Sequence, residues 1–252
     1  MAIPVSFESD HLRLHGELHL PTKQAPWPGL CICHGIPAVP YNPEDTGYRD
    51  LAARCADAGF ASLVFTFRGA GLSEGDFDIR GWSADLHEAI SFLAGVQDVI
   101  VSKLFVMGFS GGGAACIHVA AHDNRIAGVV SCASPARFDD LVDGPALYEC
   151  LARWREIGII RDPGFPPDIQ DWASGFREVA PINHIGSIAP RPVLLLHGDA
   201  DEVVPVSHAY ELHQSAGHSV ELVILPDGVH RLRVDERAMH TAVDWLHRHS
   251  SS

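Results

Sequence analysis

The sequence predicts an α/β domain built on a mostly parallel β-sheet, and three observations lead to that prediction. Continuous apolar segments, typical of strands buried on both faces, alternate along the chain with amphipathic segments typical of helices. Their spacing is that of βαβ units, whose crossover connections are right-handed. One apolar segment also runs into a glycine-rich corner with a single serine at its apex. The 252 residues suffice for one such domain with a full core.

The elements can be placed along the chain from the alternation of apolar and polar residues and from turn residues. A hairpin at a sheet edge is expected at residues 5–7 and 12–18. The predicted strands are then 29–33, 61–67, 104–109, 126–132, 192–198 and 220–225. The predicted helices are 48–59, 82–93, the segment after the serine corner, 206–216 and 235–247.

The alternation is interrupted between residues 134 and about 190. This stretch is too long for a bare connection and too rich in aromatic residues for a disordered linker. We expect one domain, 1–252, with a small helical cap insertion at about 134–190 that lies over one end of the sheet. Trp154, Trp172 and Phe176 are candidate substrate-binding residues. The alternative is that the insertion only packs against the domain and contacts no ligand.

Composition excludes several classes of function. Lys and Arg number 18 against 32 Asp and Glu, and the basic residues are scattered, so a nucleic-acid partner is not expected. No apolar stretch approaches transmembrane length and no secretory signal begins the chain, so we expect no membrane partner. The six cysteines resemble buried thiols of a reducing compartment, which favours a cytoplasmic enzyme. The 16 histidines show no spacing such as H-E-x-x-H, so neither a metal nor a cofactor is expected.

The serine corner fits the nucleophile elbow, a strained strand-to-helix turn that lifts a serine hydroxyl clear of the sheet. Gly108, Ser110 and Gly112 form the pattern G-x-S-x-G. Glycine is expected two residues either side of the serine because so sharp a corner has no room for Cβ atoms there. The five-residue pattern alone also fits an ordinary glycine turn, so its chemistry depends on the rest of the chain.

A serine nucleophile needs a general base and an acid that orients the base. In sheets of this kind the acid comes later in the chain than the serine, and the histidine comes last. Asp199, Asp201 and Glu202 follow the strand at 192–198. We prefer Asp201 because it lies further out, before Val204 and a proline redirect the chain, whereas Asp199 is placed to stabilise the turn through backbone N–H groups.

His230 is the expected base. It lies in a glycine-containing loop directly after the last predicted strand, where open α/β sheets carry their functional residues. His208 and His213 fall on the preceding helix, and His218 precedes a strand. His240 and the histidines that follow it fall on or after the C-terminal helix, where surface positions are common.

Acyl transfer also requires two backbone donors for the oxyanion of the tetrahedral intermediate. One is expected to be the N–H of Gly111, which follows the serine. The other is expected in the loop after the strand at 29–33, and the N–H of Ile36 is the best placed. His34 is interpreted as a structural residue that shapes this turn.

These motifs together resemble the α/β-hydrolase family of serine hydrolases, over nearly the full length of the chain. The residues that carry the resemblance are His34-Gly35, Arg68-Gly69-x-Gly71-x-Ser73-x-Gly75, Gly108-x-Ser110-x-Gly112, His197-Gly198-x-x-Asp201-x-x-Val204-Pro205 and Gly228-x-His230. The resemblance implies a mostly parallel sheet of eight strands with helices on both faces, and a Ser-Asp-His triad. The chain looks most similar to short-capped carboxylesterases, including feruloyl esterase-like enzymes, and to serine aminopeptidase-like members.

The favoured hypothesis is a serine hydrolase that cleaves a small-molecule carboxylic ester through an acyl-enzyme. Ser110, Asp201 and His230 form its catalytic triad, and the N–H groups of Ile36 and Gly111 form its oxyanion hole. A peptidase or amidase of the same fold is the second hypothesis, and a hydrolase-fold binding protein without turnover is the third. A homodimer is left open, as is the identity of the acyl and leaving groups.

Overall fold

One eight-stranded sheet organises the computed structural model, which describes residues 2–217 and 220–251. The strands are β1 (Ala2–Ser9), β2 (Leu12–His19), β3 (Trp27–Cys33), β4 (Ala61–Phe65), β5 (Val99–Phe109), β6 (Ile126–Cys132), β7 (Val193–Gly198) and β8 (Val220–Leu225). Their spatial order is β1-β2-β4-β3-β5-β6-β7-β8. Strand β2 pairs antiparallel with β1 and β4, and all the other neighbouring pairs are parallel. The predicted sheet is therefore confirmed.

Helices occupy both faces of this sheet. They are α1 (Gly47–Ala58), α2 (Ile79–Ala94), α3 (Gly111–His122), α4 (Asp139–Val142), α5 (Pro145–Glu156), α6 (Ile169–Val179), α7 (Ser207–Ala216) and α8 (Glu236–Ser250). Short 3-10 turns occur at Pro181–Asn183, Ile185–Ser187 and Leu232–Val234. Within the described ranges, no helix has both the length and the apolar character needed to cross a membrane.

The helices agree with the predicted ones to within a few residues, and the largest N-terminal difference has a clear cause. The helix expected over 82–93 begins at Ile79 because the side chain of Asp78 caps it, accepting hydrogen bonds from the N–H groups of Arg80 and Gly81. A charged residue that precedes the apolar pattern thus fixes the start of the helix.

Two apolar cores, one on each face of the sheet, explain why the central strands are continuously apolar. Leu30 and Ile32 of β3 pack in the core that includes residues of α1 and α8. Cys31 and Cys33 alternate with them and pack in the core that includes α2, α3 and the segment between β6 and β7. All six cysteines are free thiols, and only Cys150 is not fully buried.

A buried ion pair holds the turn after β4 against α2. The guanidinium of Arg68 lies 2.7 Å from Asp85 Oδ1, and Asp85 also accepts the backbone N–H of Arg68 at 2.8 Å. Trp82 donates its indole N–H to the carbonyl of Arg68. Arg68 also donates to Ser9 and to Asp10 of the hairpin. These contacts fix the start of the glycine-rich turn that begins at Arg68.

Candidate active site

Ser110 lies at the corner between β5 and α3 with a backbone conformation that residues other than glycine rarely adopt. Its φ is 52° and its ψ is −124°. Its N–H donates to the carbonyl of Cys132 at the end of β6, at 2.8 Å. A non-glycine residue in this region is strained and is held there by its surroundings, which is a common feature of functional sites. The geometry is that of the predicted elbow.

The flanking glycines are required by close backbone contacts. A Cβ atom on Gly108 would lie 2.4 Å from the carbonyl oxygen of Gly112. A Cβ atom on Gly112 would lie 2.2 Å from the carbonyl oxygen of His34. Both distances are far shorter than a carbon–oxygen contact allows, and backbone atoms cannot move aside cheaply. The elbow therefore depends on glycine at both positions.

The candidate acid and base meet at the ends of two adjacent strands. Asp201 follows β7, and His230 follows β8, its neighbour in the sheet. The Nδ1 atom of His230 lies 2.8 Å from Oδ2 of Asp201. Because an ionised carboxylate only accepts hydrogen bonds, Nδ1 carries the proton, and in the neutral imidazole Nε2 of His230 keeps the lone pair.

Several donors stabilise the negative charge of Asp201, whose side chain is fully buried. Burial by itself would raise the pKa of Asp201, but hydrogen bonds from His197 and His230 and from the N–H groups of Val204 and Val203 outweigh it. The pKa of Asp201 therefore lies well below its ordinary value. The carboxylate is ionised at neutral pH and available to hold the imidazole of His230.

His197 was not assigned a role from the sequence, although it stands in one of the recognised motifs. Its Nε2 lies 2.8 Å from the carbonyl oxygen of Val204 and 3.4 Å from Oδ2 of Asp201. It is buried at the end of β7 and fixes the turn that carries Asp201. No spacing in the sequence reveals this contact, because it depends on how the turn folds back on the strand.

The other candidates for acid and base lie elsewhere. Asp199 is exposed, and its carboxylate accepts the N–H of Asp227 at 2.7 Å, so it joins the loops after β7 and β8. His208 and His213 lie on α7, and Nδ1 of His208 accepts the N–H of Ala136. His218 lies outside the described residues.

Ser110 and His230 line the same cavity, which has a volume of about 590 Å³. This volume is within the range of about 300–1,000 Å³ that small-molecule sites occupy. Among the described residues no hydrogen bond joins the hydroxyl of Ser110 to His230. Such contacts are commonly long before substrate binds. The structure thus places Asp201 and His230 in direct contact and Ser110 in the cavity that His230 also lines.

The two expected oxyanion donors belong to chain segments that touch beside Ser110. A Cβ atom on Gly111 would lie 2.8 Å from Cγ1 of Ile36 and 3.6 Å from its backbone nitrogen. Gly111 is the first residue of α3, so its N–H has no acceptor within that helix. Their role in binding an oxyanion stays a prediction.

His34 fixes the loop that carries Ile36. Its Nδ1 lies 2.7 Å from the carbonyl oxygen of Gly35, and its Nε2 accepts the N–H of Phe67 at 3.1 Å. These two contacts define the tautomer, with the proton on Nδ1. Burial lowers the pKa of His34 to about 4, partly offset by the bond to Gly35. His34 is therefore a neutral structural residue at neutral pH.

The aromatic residues of the insertion do not line this cavity. The expectation that they bind substrate in this cavity is therefore wrong. Trp154, Trp172 and Phe176 are 5%, 3% and 0% exposed and pack in the core beneath the insertion. The rings of Trp154 and Phe176 are stacked, 6.0 Å apart. Trp172 donates its indole N–H to the carbonyl of Phe77. Their large apolar surfaces are buried against one another and not exposed to a ligand.

The insertion reaches the cavity through the turn that follows α5. Ile157, Ile159 and Arg161 line the cavity. The carbonyl of Ile159 accepts the N–H of Phe77 at 2.8 Å. The guanidinium of Arg161 donates to three carbonyls of the turn after β4, at 2.8–3.1 Å. Hydrogen bonds therefore hold this rim of the cavity, formed by residues of the insertion, against the turn that follows β4.

Comparison with known proteins identifies the family. The family model described as alpha/beta hydrolase fold matches residues 28–156, just over half of the chain. The uncharacterized protein YfhR of Escherichia coli (strain K12) is 29% identical over 180 residues, which are 71% of this chain and 56% of YfhR. The chain thus spans little more than half the length of that relative.

Solved structures share the fold over the whole chain. The alpha/beta hydrolase GrgF from Penicillium sp. sh18 superposes with a TM-score of 0.78 at 20% identity, covering 100% of both chains. Est1E from Butyrivibrio proteoclasticus superposes with a TM-score of 0.75 at 18% identity, covering 99% of both. The protein belongs to the alpha/beta hydrolase fold family.

Proposed function

We propose that the protein is a serine hydrolase that cleaves a carboxylic ester through an acyl-enzyme on Ser110. The observation that carries the proposal is the 2.8 Å hydrogen bond between His230 and Asp201, at a cavity that also holds Ser110 in a strained elbow. A serine hydroxyl is a weak nucleophile by itself, and a buried carboxylate that orients a histidine is the arrangement that activates it. Membership of the family supports the class of hydrolase.

The proposed mechanism assigns one task to each residue. Ser110 Oγ attacks the ester carbonyl while Nε2 of His230 accepts its proton. The imidazolium then gives that proton to the leaving alcohol, and water repeats the cycle to release the acid. Asp201 keeps the proton of His230 on Nδ1 and stabilises the imidazolium as it forms. The N–H groups of Ile36 and Gly111 are proposed to stabilise the oxyanion.

The cavity favours a substrate with an apolar acyl or aryl group. Ile36, Ile157 and Ile159 line it, and Val39 and Leu72 are 65% and 66% exposed where they line it. Large apolar side chains that stay exposed in a pocket favour apolar ligands. Est1E has been solved with ferulic acid bound, so a hydroxycinnamate ester belongs in the first substrate panel.

A peptidase or amidase is less well supported, because several charged residues of the insertion are engaged within the protein. Such an enzyme needs a charged group to hold a substrate terminus. Asp168 caps α6, and Asp171 pairs with Arg80. Arg153 and Arg155 both donate to backbone carbonyls. Arg161 donates to the carbonyl of Gly69 at the rim of the cavity.

Turnover of p-nitrophenyl acetate, p-nitrophenyl butyrate and methyl ferulate, compared with aminoacyl p-nitroanilides, tests this proposal. We expect ester hydrolysis to be faster than anilide cleavage and to be lost in Ser110→Ala. Ester turnover equal in the variant and the wild type would overturn the assignment of Ser110. Anilides cleaved faster than esters would favour the peptidase, and a folded protein that cleaves neither would favour a binding protein.

A further inference from the structure

Three histidines that are distant in the sequence converge between α3 and the segment that returns from α6 to β7. His118 and His122 lie one turn apart on α3, and His184 lies between two short 3-10 turns. One ring nitrogen from each lies within 4.8 Å of the others. The rings of His118 and His184 meet edge to face with centroids 4.4 Å apart. None of the three lines the cavity of Ser110.

Backbone carbonyls hold two of these rings in a defined tautomer. Nδ1 of His122 lies 2.8 Å from the carbonyl oxygen of His118. Nε2 of His184 lies 2.6 Å from the carbonyl oxygen of Glu178. A carbonyl only accepts, so each of these nitrogens carries a proton, and in the neutral imidazole the lone pair is on the other nitrogen of the ring. A histidine that donates to a backbone carbonyl through one nitrogen and keeps the other available is arranged as metal-binding histidines are.

His118 supplies an independent observation that favours a ligand. Its Nδ1 is buried and has no hydrogen-bond partner among the described residues. A buried polar atom without a partner calls for an explanation, and a bound ion is one of the ordinary ones.

We propose that His118, His122 and His184 form a binding site for one divalent transition-metal ion, with Zn²⁺ as the reference ion. Imidazole nitrogen is a preferred ligand of zinc, copper and nickel, and three histidines are a known zinc ligand set. The bound ion joins α3, the helix that begins at the serine elbow, to the return segment of the insertion. Water takes the remaining coordination position.

The spacing and the access suit such an ion. Ligands at about 2.0–2.1 Å from a tetrahedral zinc lie about 3.3 Å apart, so the three nitrogens need to approach by at most about 1.5 Å. Small rotations of the rings are sufficient for this, because His122 is exposed and the other two are only partly buried. A surface cavity lined by His118, His122, His87 and Asp123 gives access from solvent.

The acidic groups around the cluster are already paired and are not assigned as ligands. Asp123 accepts from the guanidinium of Arg125 and lies 3.2 Å from His87. Glu178 pairs with Arg80. They contribute negative charge near the site without being released from their partners. The three imidazoles therefore form the complete protein ligand set.

Calorimetric titration of the untagged, EDTA-dialysed protein with ZnCl₂ tests the proposal, together with the melting temperature with and without zinc. A polyhistidine tag must be absent because it binds the same ions. We expect one site per chain. At a zinc concentration about 100 times Kd, the melting temperature is expected to rise by about 5–10 °C for a chain of this size. His122→Ala and His184→Ala are each expected to weaken zinc binding by more than about 100-fold. Replacing a residue that only hydrogen-bonds to a metal ligand already lowers metal affinity by about 10–100-fold.

His87→Ala is the matched control, since His87 lines the same surface cavity but is not one of the three ligands. It should bind zinc as the wild type does. His122 is exposed, so its variant is expected to fold, and its melting temperature without zinc verifies this. Retention of the tight site in His122→Ala and His184→Ala would overturn the proposal. So would a site lost in His87→Ala but not in His184→Ala, or the absence of any one-to-one binding by the wild type.

Discussion

Nδ1 of His230 lies 2.8 Å from Oδ2 of Asp201, and the two residues follow neighbouring strands of the sheet. The contact depends on the order of the strands, because β7 and β8 end side by side at the edge where β5 turns into the serine elbow. The fold thus brings residues separated by about 120 positions to one cavity. Each part of this arrangement has a consequence that can be measured.

Replacing the acid of the triad is expected to reduce turnover without disturbing the fold of its loop. Asp201→Asn removes the charge that keeps the proton of His230 on Nδ1. We expect kcat for p-nitrophenyl butyrate to fall by about 10³–10⁴-fold, with a smaller change in KM. Asp199→Asn is the matched control, because Asp199 lies two residues away and contacts the neighbouring loop instead. Equal losses in the two variants would contradict the assignment of Asp201.

His34 is expected to make stability depend on pH between about 6.5 and 4. Its pKa is about 4 in the folded protein against an ordinary value of 6.5, so unfolding takes up a proton in this interval. Stability is therefore present above pH 6.5 and is lost as the pH falls, by about 3 kcal/mol in all from this residue. Urea denaturation across this range should show a shallower dependence for His34→Gln, whereas the exposed His11→Gln should match the wild type. Parallel curves for His34→Gln and the wild type would disprove the assignment.

The elbow is expected to tolerate no side chain at Gly112. A Cβ there would lie 2.2 Å from the backbone oxygen of His34, so β3 and α3 must separate. Gly112→Ala is expected to lower the free energy of unfolding by about 1–3 kcal/mol, and a displaced Ser110 is expected to lower kcat by roughly 100-fold. Gly95→Ala is the control, since its nearest contact would be 3.4 Å. A Gly112→Ala variant with wild-type stability and activity would contradict the geometry.

Substitutions in the insertion and in the cavity are expected to separate effects on stability from effects on substrate binding. Trp172→Phe leaves the buried carbonyl of Phe77 without its donor, so we expect a loss of about 1–3 kcal/mol of stability and an unchanged KM. Leu72→Ala shortens an exposed residue of the cavity, so we expect unchanged stability and a KM for p-nitrophenyl butyrate raised about three- to tenfold. The opposite pattern would show that substrate binds beneath the insertion.

The sequence predicts the fold and the three candidate catalytic residues because their signals are local. Gly108 and Gly112 mark a corner that allows no Cβ, and Asp201 and His230 each stand directly after an apolar strand. In a parallel sheet such positions gather at one edge whatever the details of packing. Because β7 and β8 are neighbours in the sheet, the residues that follow them, Asp201 and His230, come into contact.

The aromatic residues of the insertion show where sequence reasoning is incomplete. An aromatic side chain serves a core and a pocket equally well, and composition does not distinguish the two. Spacing does: Leu147, Leu151 and Trp154 recur at intervals of four and three, as do Trp172, Phe176 and Val179. That is the pattern of a helix with one buried face, and these six residues are buried in the structure.

The sequence does not reveal the histidine cluster, for a different reason. His118 and His122 stand four residues apart on a helix, which is the spacing of two metal ligands on one face, but the residue after His118 is not the glutamate of H-E-x-x-H. Their partner His184 lies more than 60 residues further along the chain. Only the packing of the return segment against α3 brings it to them.

Labelling by a fluorophosphonate followed by peptide mass mapping tests whether Ser110 is the nucleophile. We expect a single adduct per chain, on Ser110, which is absent in Ser110→Ala and forms much more slowly in His230→Ala. Folded protein that takes up no label, or that carries the adduct on another serine, would contradict it.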